Sequence, residues 1–565
     1  MSISTLSDSN ANIARHLSLM AAAQPATAAL KIPRGRTRRG EIDYLALDFA
    51  ELDAEVAAWA ARLASAGVQR GDRTLVMVRQ GLPLIAAAFA LFRVGAVPVI
   101  VDPGMGLKNF LACVARSRPR ALVGIPTAQL VSRVFRGAFR SVQVRVAARG
   151  SLTARLTRSG ARASASAPPL AASSPDELAA ILFTSGSTGA PKGVCYEHGM
   201  FAAQVRLIRD TYDITPGEID LPLLPIFALF NPALGMTTIV PEIDPRRPAE
   251  VDPVKIVQAI QQENVTNSFG SPTLWRKIAE HCVVVGTTLP TLRRVLCAGA
   301  PVPAALWKKS RLVLTGGSLH SPYGATEALP VASISAAEID PASTRGACVG
   351  RAVREIEIKI IAISDRAIPA LADARELPRG EIGEIIVRGP VVTKSYDAQP
   401  EPTALAKIPQ IPNPEPQTPN PGPETPIWHR MGDCGYLDAD GRLWFCGRKA
   451  ERVETTAGTL HTEPCEQVFR AHPRVKRCAL IGLGERGHQR VALVVEAKLL
   501  DSAQCRAFAR ELRALALEHE HTAAIRTFYF REKFPVDVRH NAKIHRLALA
   551  RWAATATGFE SDPKR

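Results

Sequence analysis

The 10 cysteines of this 565-residue chain include no C-x-x-C pair and no paired spacing, which argues against both a structural zinc site and a disulfide framework. His461, His472, His540 and His545 show no metal-ligand spacing either and read as surface or structural residues, with His540 only three positions before Lys543. The first residues, MSISTLSDSNANIARHL, lack a basic start followed by an apolar run, so no signal peptide is expected and the chain reads as cytoplasmic. No apolar run reads as a membrane span: the best candidate, residues 82–101, is broken by Arg93, Gly95 and Pro98 and is expected to be a helix, a turn and a buried strand ending at Asp102. Internal repeats are absent. The formal net charge of +17 comes largely from arginine, with clusters at residues 34–39 and 133–162. These clusters lack interleaved aromatics and any recognised nucleic-acid motif, so a solvated basic surface suited to acidic partners or polyphosphate substrates is expected, and not a nucleic-acid interface.

What the chain does have is ILFTSGSTGAPKGV, residues 181–194. An apolar strand runs into a loop of hydroxyls, glycines and one lysine, and such a loop holds phosphate. Gly186 and Gly189 let successive N–H groups converge on one anion, Ser185, Ser187 and Thr188 add hydroxyl donors, and Lys192 adds charge. It is not a Walker loop, because Pro191 precedes the lysine and Gly193 follows it. A flexible Ser/Gly linker is disfavoured by the buried-strand character of Ile181, Leu182, Phe183 and Val194 on either side.

TSGSTGAPKG resembles the phosphate loop of the adenylate-forming superfamily, which includes acyl-CoA synthetases, luciferases and peptide-synthetase adenylation domains. The family's other elements follow in order: His198, GAP at residues 299–301, YGATE at 323–327, HRMGD at 429–433, GR at 447–448, and Lys543. The resemblance implies adenylation, in which a carboxylate attacks the α-phosphorus of ATP and pyrophosphate leaves. Charge then accumulates on phosphate oxygens, and catalysis needs cations and donors placed in advance. By resemblance, Thr184, Ser185, Gly186, Ser187, Thr188, Gly189 and Lys192 hold the β- and γ-phosphates. Glu327, with Thr184, is implied for Mg²⁺, and Thr326 donates to the α-phosphate. Asp433 suits the ribose, since its oxygens match two adjacent hydroxyls. Arg448 reaches ribose or phosphate, Tyr323 and Gly324 lie against adenine, and Gly299, Ala300 and Pro301 form the wall behind it. Lys543 brings its ammonium to the reacting carboxylate and α-phosphate, so the implied catalytic set is Lys543, Thr326, Glu327 and Lys192.

Residues 224–235 (LPIFALFNPALG), SPYGATEALPVA, HRMGDCGYLDADGRLWFCGRKAERVET and FPVDVRHNAKI resemble one branch more closely: the β-lactone synthetases of bacterial long-chain olefin biosynthesis. That family adenylates a 2-alkyl-3-hydroxyalkanoic acid, whose own 3-hydroxyl closes a β-lactone with release of AMP. The resemblance implies a small-molecule acyl substrate, an acyl pocket at Phe227, Phe230, Asn231 and Gly270, and an assembly with other enzymes of the olefin pathway. Departures from ordinary ligases agree with it. Ala450 stands where a hinge Asp or Lys is usual, Asn541 and Ala542 precede the catalytic lysine in place of Ser-Gly, and PLFH has become PIFALF. An internal nucleophile gains an effective molarity of about 10⁵ M or more when aligned, making a thiol tunnel unnecessary. A fatty acyl-CoA or acyl-AMP ligase with an external thiol, and a non-catalytic nucleotide-binding relative, are the competing readings.

The chain is long enough for a large domain plus a smaller one. Helical patterns alternate with β-branched runs from residue 45 to 150. The expected fold is α/β: a large N-terminal adenylation domain of several subdomains, residues 1–446, and a smaller mobile α+β C-terminal domain, residues 447–565, carrying Lys543. Proline density over residues 397–426 predicts an extended, solvated insertion without helix or sheet. Gly482, Gly484 and Gly487 spell G-x-G-x-x-G, but RVALVVEAKL follows, so a turn between two strands is expected rather than a dinucleotide site.

Overall fold

The computed structural model describes residues 10–148, 167–184, 190–244, 250–340, 343–411, 426–498, 501–536 and 544–561. The run read as helix, turn and strand folds that way: Leu82–Arg93 is helical with nine buried residues, Gly95 turns the chain at φ +74°, and Val97–Val101 is a strand. The amphipathic stretch before it forms the helix Phe49–Ser65, started by a capping box between Asp48 and Glu51.

Two sheets organise most of the chain. A six-stranded sheet runs Val144–Ala147, Ala121–Gly124, Arg73–Met77, Val97–Val101, Leu178–Thr184, Lys192–Glu197. Its first five strands are parallel and the last is antiparallel to Leu178–Thr184. The central parallel strands Val97–Val101 and Leu178–Thr184 are near-continuous apolar runs, as strands covered on both faces are. A 14-stranded sheet has a parallel centre that includes Ile219–Asp220, Asn267–Gly270, Arg294–Cys297 and Ser318–Ala325. Antiparallel strands extend it, among them Ile427–Leu437 paired with Leu443–Arg448. In open α/β sheets ligands usually bind beyond the carboxyl ends of the parallel strands. Thr184, Gly270, Gly299 and Tyr323 all lie at such ends.

After Arg448 the chain builds a four-stranded sheet, Cys478–Leu483, Arg490–Glu496, Thr527–Arg531 and Phe559–Glu560, around its own apolar cluster. The glycine triplet 482–487 turns between two antiparallel strands of this sheet, as the following apolar run requires. Among the described residues no helix is long and apolar enough to cross a membrane.

The proline-rich segment corrects the expectation in part. Pro400–Ala406 is a helix and Lys407–Pro409 a strand paired with Ile427–Leu437, with Lys407 and Ile408 buried. Pro400 sits at the first helical position, where a missing N–H costs nothing, and Pro409 ends a short strand at the sheet edge. Proline density was therefore a poor guide, since these prolines occupy the positions that tolerate them. Residues 412–425 lie outside the described residues. Their flanks are joined by a hydrogen bond from Gln410 N to Pro426 O at 2.9 Å, so a short Gly/Ser bridge can replace 412–425. That variant is expected to melt within about 2 °C of the parent, since nothing of the paired strand is lost. Extending the deletion back to residue 400 removes a buried strand and is expected to lower the melting temperature clearly.

Candidate active site

Asp433 and Arg448 face each other in register across adjacent strands. The Asp433 carboxylate is buried. Its Oδ1 accepts from Arg448 Nη1 at 2.8 Å and its Oδ2 accepts from the Tyr323 hydroxyl at 2.6 Å. The neighbouring carboxylate holds the Arg448 guanidinium further above its ordinary range, and burial first, then Asp433, pushes the Tyr323 phenol well up. Tyr323 is therefore a fixed donor, with its ring 6.3 Å from that of Phe445. Carboxylate oxygens accept more than one hydrogen bond each, so this group suits a vicinal diol presented to it.

The second carboxylate, Glu327, stands on the turn between Ser318–Ala325 and Ala328–Ser335. Three residues fix that turn. The Tyr196 hydroxyl donates to Thr326 O, the Thr393 N–H to Glu327 O at 2.9 Å, and the Tyr396 hydroxyl to Glu327 Oε1 at 2.8 Å. Burial raises the Tyr396 phenol well above its usual range, with Glu327 adding to the shift, so it stays protonated and donating.

Lys192 begins the strand that follows the phosphate loop and pairs in register with Thr184. Its ammonium lies 4.8 Å from the centre of the Tyr396 ring, within cation–π range. Burial lowers its pKa, against the pull of Glu327. Lys192, Glu327 and Tyr396 thus form one cluster, and Tyr323, Asp433 and Arg448 a second. Gly299, Ala300 and Pro301 follow the strand Arg294–Cys297, with Gly299 at φ +95°. At Gly324 a Cβ would stand 2.6 Å from Ala328 O, so only glycine fits that hairpin. Ser185, Gly186, Ser187, Thr188, Gly189 and Lys543 lie outside the described residues.

Phe227 stacks on Phe269 with centroids 3.5 Å apart, and Phe230 stacks on Phe201 at 5.1 Å. Phe227, Phe230 and Asn231 line a narrow cavity of about 50 Å³ together with Asp220, Phe269 and Leu296. Gly270 does not line it. A Cβ there would meet Trp275 at 2.9 Å, so its smallness serves helix packing. His198 is structural: its buried ring accepts from Ile13 N at 3.2 Å and packs edge-on against Phe92, and burial lowers its pKa to about 4.

Several residues of the site carry no sequence signal. Tyr196, Thr393 and Tyr396 act only through contacts with residues 66 or more positions away. Asp220 is an acid at the head of the apolar run Leu221, Leu223 and Leu224, and that contrast was the one available clue.

The donor set fits a nucleoside polyphosphate and its cation: a carboxylate buttressed for a diol, a second carboxylate beside a lysine, and backbone held by distant donors. Comparison with known proteins agrees. Residues 21–397 match the model of the AMP-binding enzyme family. The chain is 45% identical over 558 residues to an olefin β-lactone synthetase of Xanthomonas campestris pv. campestris, covering 96% of this chain and 97% of that one. It is 44% identical to an olefin β-lactone synthetase of Stenotrophomonas maltophilia, covering 96% and 98%. Its fold superimposes on ATP-bound MatB from Rhodopseudomonas palustris with a TM-score of 0.74 at 22% identity, covering 97% of this chain and 99% of that one.

Burial generates a prediction at Asp220. Its carboxyl accepts from Asn231 Nδ2 at 2.9 Å, and desolvation raises its pKa to about 7 against that hydrogen bond. A carboxyl with a raised folded pKa loses stability as pH climbs from the unfolded value of about 3.9 through the folded one. Asp220→Asn should therefore raise the melting temperature more at pH 8 than at pH 5, the cost carried by the carboxyl growing by about 3 kcal/mol between the two. An equal effect at both pH values would mean that the carboxyl is not desolvated.

Proposed function

The chain belongs to the AMP-binding enzyme family, and from that premise we propose that it is an ATP-dependent olefin β-lactone synthetase, acting on a 2-alkyl-3-hydroxyalkanoic acid and releasing AMP and pyrophosphate. The observation that carries the branch is the near full-length identity of 44–45% to two olefin β-lactone synthetases. The chemistry is supported by the pairing of a buttressed Asp433 with a fixed Glu327 turn.

In this reading Asp433 accepts from the ribose hydroxyls, with Tyr323 and Arg448 keeping its orientation. Thr184 to Gly189 and Lys192 hold the β- and γ-phosphates, Thr326 donates to the α-phosphate, and the wall at Gly299 to Pro301 backs the adenine. Glu327, with Thr184, would hold Mg²⁺, which would supply positive charge against the phosphates. One carboxylate oxygen of the acid attacks the α-phosphorus and pyrophosphate leaves. Residues 447–565 act as the C-terminal domain that brings Lys543 to the reacting oxygens. Its ammonium is most valuable as phosphate charge redistributes, which is where binding energy becomes rate. The 3-hydroxyl oxygen then bonds to the activated carbonyl carbon, the bond from that carbon to the AMP oxygen breaks, and the hydroxyl proton is lost. Phe227 and Phe230 fill the acyl side with aromatic bulk.

Three outcomes test the proposal. A 2-alkyl-3-hydroxy acid with ATP and Mg²⁺, without CoA, should give AMP, pyrophosphate and a product lighter than the acid by one water, read by mass spectrometry. Dependence on CoA with accumulation of an acyl-CoA would install the thiol ligase in its place. Lys543→Ala should suppress pyrophosphate release by about 100-fold or more while ATP affinity stays within a few-fold, because the loss falls on the transition state. Asp433→Ala should weaken ATP binding by about 2 kcal/mol or more, since it also strands the Tyr323 hydroxyl and the Arg448 guanidinium; unchanged affinity in calorimetry would remove Asp433 from the nucleotide site.

A further inference from the structure

Lys407 belongs to none of the motifs. It lies in the strand Lys407–Pro409, is buried, and has no carboxylate within ion-pair distance among the described residues. An ammonium in such a place is costly unless it is hydrogen-bonded, and burial lowers the Lys407 pKa to about 7 against the pull of Glu327. Its Nζ donates to Thr393 O and, at 3.1 Å, to Thr393 Oγ1. Thr393 in turn gives both of its donors to Glu327 O, the N–H at 2.9 Å and the hydroxyl at 3.2 Å. Three residues further on, Tyr396 donates to the Glu327 carboxylate, and its ring centre lies 5.9 Å from Lys407 Nζ. The segment from Thr393 to Gln399 is also clipped to the strand after the phosphate loop. Asp397 N donates to Gly193 O at 2.7 Å and Gly193 N to Gln399 Oε1 at 3.2 Å. Lys407 therefore sits beneath a strap that touches the Glu327 turn on one side and the strand of Lys192 on the other.

The charged and titratable groups around it include Lys192, Glu327, Cys195, Tyr396 and His429. His429 faces Lys407 in register on the neighbouring strand, and its Nδ1 lies 3.1 Å from Ala406 O. Burial first, then Lys407, holds the His429 imidazole neutral, so no second cation faces the lysine on that side.

We propose that Lys407 is a positioning residue of the adenylation step, clamping the Thr393 peptide so that Thr393 and Tyr396 fix Glu327 in the orientation that meets the cation on the triphosphate. The inference rests on the reading of Glu327 as the cation-holding residue. It does not depend on which acceptor follows adenylation. Lys407→Met keeps the length and apolar stem while removing the ammonium, and replacing a buried ion with a well-packed hydrophobic residue is often neutral or stabilising.

Calorimetric titration of the full-length protein with Mg²⁺·ATP and, separately, with AMP tests it without turnover. Lys407→Met is expected to weaken Mg²⁺·ATP binding about tenfold and AMP binding less than about twofold, because only the former uses Glu327. Tyr396→Phe should show the same selective loss. The double variant should be no worse than the more severe single one, as expected for two residues acting through one carboxylate. Glu327→Gln must show the selective loss too, and its failure to do so would remove the reading of Glu327 itself. If Glu327→Gln discriminates but a folded Lys407→Met binds Mg²⁺·ATP normally, or loses both ligands equally, the inference is wrong while that reading stands. Strict additivity of Lys407→Met and Tyr396→Phe would also overturn it, pointing to a direct charge effect in place of positioning.

Discussion

A carboxylate aimed into a cleft keeps its direction only if donors reach it from behind, and at both acidic residues of this site those donors come from distant parts of the chain. Asp433 is held by Tyr323, 110 positions away, and by Arg448 on the neighbouring strand. Glu327 is held by Tyr396 and its turn by Tyr196 and Thr393. The 14-stranded sheet must therefore be complete before Asp433 is oriented, and the strap from Thr393 to Gln399 closed over the strand beginning at Lys192 before Glu327 is. The phenols are suited to this work. Burial raises their pKa, so they remain donors across the whole working range.

The motifs announced the first layer of this site and little of the second. Ile181 to Phe183, Val194, Tyr323 to Glu327 and Asp433 carry local patterns that chemistry makes recognisable, and the alternation of apolar helix and β-branched strand made the α/β layering visible. Tyr196, Thr393, Tyr396 and Lys407 carry no such pattern, since each is defined by what it touches after folding. The proline-rich segment misled for a related reason. A proline at the first position of a helix and one at the end of an edge strand look, in sequence, like prolines in a solvated linker. Gly270 was read as part of the acyl pocket, whereas its missing side chain makes room for Trp275.

The cavity at Phe227 and Phe230 joins aromatic bulk to a polar feature. Phe227 and Phe230 are each stacked against another ring, which fixes them as walls, while Asp220 and Asn231 bring a carboxyl and an amide to the same apolar cavity. A pocket so built holds its shape through packing more than through charge. Activation of a carboxylate at one end and retention of the hydrocarbon at the other leave the substrate's own hydroxyl as the nearest nucleophile, and alignment of that kind is worth several kcal/mol, on the order of 7, of barrier.

The most direct test of this account is to follow oxygen. A 2-alkyl-3-hydroxy acid labelled with ¹⁸O at both carboxylate oxygens should pass one label to AMP and keep the other in the lactone carbonyl, with the ring oxygen unlabelled and derived from the hydroxyl. Unlabelled AMP, or a product whose hydroxyl oxygen has been lost to water, would contradict adenylation followed by internal acyl transfer.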